Sequence, residues 1–410
     1  MIHPTRRLAP LLTLFILLAG CQHVPAEAKV RPVQPSPTHS SASLVAYGSL
    51  LTTNNDPNLL RFAQKLRNAH QHSVHIVQFG DSHTAADFFS GQLRSKLQQR
   101  FGNGGIGFIS PLSLPGQRYG NIALRSTSFD WTLSTSRREE RPDFPMGGSV
   151  AQPKKNNRTV ALEPLLAAAG KSRVRLLYNS DRQNTLIGAN SLDRRVIALP
   201  ATKNKWTFSY PMNLALPASL SLASGSANTR IGGWYVDGPD QGVILSALGS
   251  NGASLSLMDR WQDGWQSQLH ALQPDMVILA YGTNEAFNDA LNLSDYRSQL
   301  QQRIRQIRHT QPDAVIMLVG PGDSMKDHSG NSCGHTTQLD SVINVQRDVA
   351  RAEHTLYWDW RRHMGGACAI KKWQARGDAR PDFVHLTRSG YENSANQLYQ
   401  DLIQALHLTP

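Results

Sequence analysis

The chain has 410 residues, 40% of them apolar and 18% charged, and its 42 Lys and Arg outnumber 30 Asp and Glu to leave a formal net charge of +12. That is ample length for two or three folded units with a buried core, and the composition is that of an ordinary soluble globular protein. No Lys/Arg-rich run or nucleic-acid motif accompanies the basic surplus, so no nucleic-acid partner is expected; the charge points to an anionic membrane or a polyanionic polymer.

In chain order, Arg6 and Arg7 precede an apolar run over residues 8–18, and Leu18-Ala19-Gly20-Cys21 follows. The run is too short to span a bilayer and reads as a secretory signal with a small-residue cleavage site. Leu-Ala-Gly-Cys resembles the bacterial lipoprotein box. The resemblance implies a signal peptide over 1–20, a lipidated Cys21 as the new N-terminus and a periplasmic protein. Gln22 in place of Asp after the Cys implies sorting to the outer membrane. Several acyl chains on one terminus would anchor the protein firmly. Residues 21–45, rich in Pro, Ser and Ala, cannot form a core and are expected to be a tether. Cys333 and Cys368 remain, an even pair that in an oxidising compartment suggests one disulfide; two buried free thiols are the alternative.

Residues 46–118 read as the first part of an α/β domain. Residues 74–83, VHIVQFGDSH, combine an apolar strand with a Gly-Asp-Ser turn, and a helix is expected over 87–100. Such a turn can hold a serine hydroxyl at the C-terminal edge of a sheet, beside the positive end of the next helix. Gly-Asp-Ser is also an ordinary surface turn, so the rest of the chain has to supply support. The glycines of residues 102–107, GNGGIG, follow a helix instead of joining a strand to one. They are therefore expected to be a loop beside the site and not a phosphate cradle.

From 119 to 240 helical periodicity is faint, with one hint over 162–169. Short alternating stretches replace it at 172–178, 194–199, 206–210, 214–222 and 229–236, separated by Gly, Pro, Asn and Ser. These predict an inserted β-sandwich or barrel. Its aromatics, Trp131, Trp206, Tyr210, Trp234 and Tyr235, are expected mostly in its core, although such rings can also stack on sugars.

Over 241–410 the α/β pattern resumes. Strands are expected at 243–248, 276–280, 314–319 and 355–359, alternating with helices at 256–272, 294–309, 338–353 and 388–406. That alternation predicts a doubly wound parallel sheet covered by helices on both faces and interrupted by the all-β insert. Ser82, Gly252 and Asn284 follow strands, and Asp382 with His385 opens the final segment, so all can converge on one sheet edge. Acyl transfer needs a nucleophile, a base, an orienting group and oxyanion donors. Ser82 suits the first role, His385 the general base and Asp382 the orienter; the Ser82 and Gly252 N–H groups and the Asn284 amide suit the oxyanion hole. Gly249 is the alternative to Gly252. His83 reads as structural or substrate-lining, Asp81 as a turn acceptor, and Asp323 as a second possible orienter. His328 and His335 near Cys333 lack regular ligand spacing, so no metal and no cofactor are expected.

GDSH, the GxNG turn at 249–252, GTNE and DFVH match in order the blocks of the SGNH/GDSL hydrolases, and about two-thirds of the chain shares the resemblance. The stretch GDSHTAADFFSGQLRSKLQQRFGNGGIGFISP, with the insert and the lipoprotein-like start, resembles the Gram-negative peptidoglycan O-acetylesterases. That resemblance implies removal of acetyl from the C6 hydroxyl of N-acetylmuramic acid in O-acetylated peptidoglycan strands. It also implies an insert similar to a family-35 carbohydrate-binding module. An O-acetyltransferase using the same site is the nearest alternative. A lipase lacks support, since no apolar lid-like helix stands out, and a non-catalytic glycan-binding lipoprotein is the alternative from another class.

Overall fold

The computed structural model describes residues 49–166, 170–224, 228–327 and 333–408. The expected signal, Cys21 and the whole of the tether lie outside the described residues, as does His328. Among the described residues no helix is long and apolar enough to cross a membrane.

The strand Val74–Gly80 sits inside a six-stranded sheet with the order Leu51–Thr52, Leu356–Trp358, Val315–Val319, Met276–Ala280, Val74–Gly80, Val243–Gly249. All but Leu51–Thr52, which pairs antiparallel with Leu356–Trp358, run parallel. Val74 and Ile76 enter one core while Val77 and Phe79 enter the other, as period-two side chains on a strand covered on both faces must. After Val74–Gly80 the chain places its next parallel strand, Val243–Gly249, on one side and Met276–Ala280 on the other. The strand carrying the Gly-Asp-Ser turn is therefore the topological switch point, where a crevice opens at the carboxyl ends of the strands.

Helices Leu59–Arg67, Phe89–Phe101 and Arg388–Ala405 bury their apolar stripes against one face through residues such as Phe62, Leu93 and Leu398. Helices Leu293–Thr310 and Leu339–Ala352 cover the other through Ile304, Ile307, Val342 and Val349. The helix expected over 256–272 is broken into a 3-10 turn, Leu255–Arg260, and a short helix, Gln266–His270. The backbone around Trp261 pairs instead with the insert, Phe144 N–H donating to Arg260 O at 3.2 Å and Gln262 N–H to Phe144 O at 2.7 Å. Gly264, at φ +82°, completes the break with a left-handed turn. Two short helices that sequence periodicity did not announce, Trp360–Met364 and Ala369–Ala375, flank Cys368, which is disulfide-bonded to Cys333 with Cα atoms 5.5 Å apart.

The insert is two antiparallel sheets. One has the order Arg194–Leu199, Asn184–Ala189, Ala218–Leu222, Thr159–Pro164, Ile122–Arg125. The other runs Thr207–Phe208, Ser172–Ser180, Thr229–Asp237, Ser149–Pro153, Trp131–Thr135, with Met212–Leu214 on Ser172–Ser180 and Gly105–Ile109 on Thr229–Asp237. Gly105–Ile109 is thus a strand of the insert and not a loop beside the site: a Cβ on Gly105 would come within 2.4 Å of Gly238 N, so only glycine allows this pairing. The faint helical signal at 162–169 begins in a strand, because Val160 and Leu162 alternate into the sandwich core. The stretch 214–222 divides at Leu216–Pro217, and its two halves join different sheets. Trp131, Trp206, Trp234 and Tyr235 are buried, whereas Tyr210 is 76% exposed. Phe108, Phe144, Trp206 and Tyr235 of the insert share a core with Val77, Phe79, Ile244 and Trp261 of the α/β sheet, so the described residues pack as one unit.

Candidate active site

Ser82 opens a single helical turn, Ser82–Ala85, directly after the switch-point strand. Asp81 caps that turn, its Oδ1 accepting the His83 N–H at 2.9 Å. Gly80 contributes space: a Cβ there would sit 2.2 Å from Thr84 Oγ1 and 2.8 Å from Ala280 O. Gln78, fully buried below, donates to Thr84 Oγ1 at 2.9 Å and ties the turn to the strand. The result is a serine hydroxyl held at the sheet edge by a turn that cannot relax.

His385 Nε2 lies 2.8 Å from Ser82 Oγ, and His385 Nδ1 lies 2.9 Å from Asp382 Oδ2. Asp382 Oδ1 accepts the N–H groups of Val384 at 3.0 Å and His385 at 2.9 Å, so one carboxylate shapes the turn and orients the ring. Phe383 takes the left-handed conformation at φ +50°, which costs about 1–2 kcal/mol in a non-glycine residue. Burial pushes the Asp382 carboxyl up, but the His385 and Val384 N–H groups and the His385 ring outweigh it and hold it below the usual carboxylate range. An ionised Asp382 accepts a hydrogen bond from Nδ1–H, which assigns the proton to Nδ1 and a bare Nε2 facing the serine hydroxyl. That chain can draw the proton from Ser82 as its oxygen attacks a carbonyl.

On the opposite wall, Gly252 adopts φ +71° and Asn284 donates one amide hydrogen to Ala253 O at 2.9 Å, leaving the second for a ligand. Glu285 fixes the two turns to each other, its Oε1 accepting Leu255 N–H at 2.6 Å and its Oε2 accepting Gly282 N–H at 3.0 Å. Burial raises the Glu285 pKa despite those donors, and it raises Asp81 to about 7, where the Glu285 charge adds to the effect against the His83 N–H. Gly249, the alternative donor, is packed against the backbone of the serine's helical turn, a Cβ there reaching Ala85 N at 2.1 Å. Gly252 lines the cavity together with Ser82, Asn284 and His385; Gly249 does not.

That cavity has a volume of about 520 Å³, within the range of small-ligand sites and far larger than an acetyl group requires. Phe88, Arg118, Phe287, Arg380 and Tyr391 also line it, and no motif or periodicity assigns any of them a role in the site. They sit on loops and at helix starts, where no repeating signal exists. The insert contributes at the rim, since Arg137 Nε would lie 3.0 Å from a Cβ on Gly252. His83 is buried against Tyr391 OH at 2.8 Å and its pKa falls to about 3, first through burial and then through the nearby His385; it does not line the cavity. Asp323 is taken up by Arg361 at 3.1 Å and the Ile370 N–H at 3.0 Å, so it does not orient the histidine. No group of three or more metal-ligating side chains occurs among the described residues.

Comparison with known proteins adds two family models. Residues 104–219 match one described as peptidoglycan O-acetylesterase, N-terminal, and residues 221–392 match one described as the GDSL-like lipase/acylhydrolase family. A solved structure titled "Peptidoglycan O-acetylesterase in action, 5 min" is 31% identical, covers 88% of this chain and 100% of its own, and superposes with a TM-score of 0.80. A putative GDSL-like lipase from Parabacteroides merdae is 18% identical over 41% of this chain and 74% of its own, with a TM-score of 0.33. A family two carbohydrate esterase from Cellvibrio japonicus is 10% identical over 70% of this chain and 99% of its own, at 0.29. No curated protein matches.

Proposed function

Because the chain belongs to the GDSL-like acylhydrolases of the peptidoglycan O-acetylesterase type, and so is a carboxylic ester hydrolase, we propose that it removes acetyl from the C6 hydroxyl of N-acetylmuramic acid through an acetyl-Ser82 intermediate. The observation that carries this reading is the continuous hydrogen-bonded chain from Ser82 Oγ through His385 to Asp382, facing Gly252 and Asn284 across a cavity. Ser82 Oγ attacks the acetyl carbonyl while Nε2 takes its proton. The resulting oxyanion is held by the Ser82 and Gly252 N–H groups and the free Asn284 N–H. The C–O bond to the sugar breaks, its oxygen takes the proton from Nε2, and the acetyl group remains on Ser82. Water then attacks, giving its proton to Nε2; collapse frees acetic acid and returns the proton to Ser82.

The reading extends to location: Cys21 carries lipid, residues 21–45 form the tether, and the enzyme works in the periplasm from the outer membrane. Labelling with radioactive palmitate, lost in Cys21→Ala, tests that part. For the chemistry, protein from Gln22 onward is given O-acetylated peptidoglycan with Ser82→Ala as control, with and without a glycan acceptor. Ser82-dependent free acetate without acceptor is the expected result. Acetate recovered only as new ester on the acceptor would make the enzyme a transferase, and none in either case would remove peptidoglycan as the substrate.

A further inference from the structure

The cavity around Ser82 is lined by four titratable side chains, Arg118, Arg380, His385 and Tyr391, and by no carboxylate. Nearby buried arginines are matched, Arg94 with Asp87 at 2.8 Å and Arg361 with Asp323 at 3.1 Å. Arg118 and Arg380 have no acidic partner among the described residues, and Asp382, two positions from Arg380, is committed to His385. Unlike Arg94 and Arg361, Arg118 and Arg380 are exposed, and together they put two unpaired cations on the walls of one concave site.

The Arg118 guanidinium and the Arg380 backbone are both held in place. The Arg118 N–H donates to Ala85 O at 3.1 Å, and its guanidinium lies 4.1 Å from the centroid of Phe88. Phe88 is backed by Tyr391, stacked at 6.2 Å with an 18° interplanar angle. Two residues on, the Gly120 N–H donates to Asp87 Oδ2 at 2.6 Å, so the buried Asp87–Arg94 pair anchors the loop. Arg380 rides the triad turn, its N–H donating to His385 O at 2.8 Å and its carbonyl accepting the Phe383 N–H at 3.1 Å. Arginine offers a rigid planar fork of donors matched to carboxylate, and for Arg118 the Phe88 ring beneath it limits the conformational freedom lost on binding. A cavity with such walls and no internal anion should take its anion from the substrate.

We propose that Arg118 and Arg380 form a carboxylate-binding subsite beside Ser82 that selects acetyl esters on anionic sugars over neutral ones. The inference rests on the peptidoglycan reading and adds the charged group that the site recognises. That group is a carboxylate on the sugar's lactyl ether or on the peptide joined to it.

The test measures kcat and KM for three acetyl esters: 6-O-acetyl-N-acetylglucosamine, which has no carboxylate; 6-O-acetyl-N-acetylmuramic acid, with a free lactyl carboxylate; and the latter amide-linked to a short acidic peptide. Release from 4-nitrophenyl acetate monitors the integrity of the catalytic centre. The wild type should favour at least one anionic ester over the neutral sugar by about 10-fold to 100-fold in kcat/KM, mainly through KM. Arg118→Gln and Arg380→Gln should each erode that ratio, and the double variant should bring it close to one. Which ester is favoured identifies the carboxylate. An undiminished ratio in the double variant overturns the subsite, as does a wild type that treats neutral and anionic sugars alike, and in both cases the deacetylase reading stands. A wild type that cleaves 4-nitrophenyl acetate but none of the sugar esters refutes the peptidoglycan reading and the subsite with it.

Discussion

Replacing Asp382 by Asn changes a single hydrogen-bond polarity and leaves the turn intact. The Asn oxygen can still accept the N–H groups that Oδ1 now accepts, from Val384 at 3.0 Å and His385 at 2.9 Å. The atom facing His385 Nδ1 at 2.9 Å, however, becomes a donor. A neutral imidazole answers by placing its lone pair at Nδ1 and its proton at Nε2, and the Ser82 hydroxyl, 2.8 Å from Nε2, then has no acceptor. In a dry triad this exchange costs about 10⁴-fold in kcat. Here the side chains of His385 and Asp382 are 35% and 45% exposed, so water competes for Nδ1 and retains part of the productive tautomer. The expected loss is therefore about 10²-fold to 10⁴-fold in kcat, with KM nearly unchanged because Asp382 does not line the cavity. Initial rates on 4-nitrophenyl acetate measure it, nitrogen NMR of the imidazole reports the tautomer, and far-UV circular dichroism checks the fold. A folded variant with kcat within about threefold of wild type would refute the orienting role.

Three further outcomes follow from the same geometry. Asn284→Ala should lower kcat by about 10²-fold to 10³-fold with KM little changed; a rise confined to KM would mean that its free N–H binds ground-state substrate and not the oxyanion. Asp81, raised to about 7 by burial, has a neutral form whose contribution to stability is complete below the unfolded carboxyl value and fades as pH rises through the folded one. Asp81→Asn keeps the acceptor that caps His83 but cannot ionise, so its stability relative to wild type should rise between about pH 4 and pH 7; a constant offset in paired thermal melts would count against the shift. Cys368→Ala opens a link between residues 35 apart in sequence and should cost about 4 kcal/mol by denaturant unfolding, a loss that reductant should reproduce in the wild type. Reductant without effect on the wild type would show that the link adds nothing.

Much of the site is legible in the sequence because each of its parts is a local event. Val74–Gly80 announces itself by apolar residues ending at a glycine, and Asp-x-x-His places Asp382 and His385 within one turn of backbone. Convergence of Ser82, Gly252 and Asn284 follows from a parallel sheet, since parallel strands share one carboxyl edge. The misreadings have a common cause. Residues 256–272 carry an apolar pattern that suits a helix, yet pairing with Phe144, more than a hundred positions away, diverts the backbone around Trp261. Residues 102–107 read as a loop because their glycines follow a helix; only the approach of Thr229–Asp237 makes Gly105–Ile109 a strand.

The sequence by itself therefore determined the alternation of strands and helices, the inserted sandwich and the order in which the chemical groups appear, because propensity, period and turn chemistry act over a few residues. Tertiary structure alone decided which polar groups are spoken for. Local Asp-x-x-His spacing favours Asp382 over Asp323 as the partner of His385, but only packing shows what Asp323 does instead, which is to hold Arg361 and the Ile370 N–H. Glu285 follows Asn284 in the chain, but its work is to bind Leu255 and Gly282 and so set the spacing of the wall that carries Gly252 and Asn284. Arg118 and Arg380 are two cations among 42 Lys and Arg until the fold places them in one cavity without a carboxylate. Charge compensation depends on which side chains lie within a few ångströms, and that distance is set by packing between segments remote in sequence.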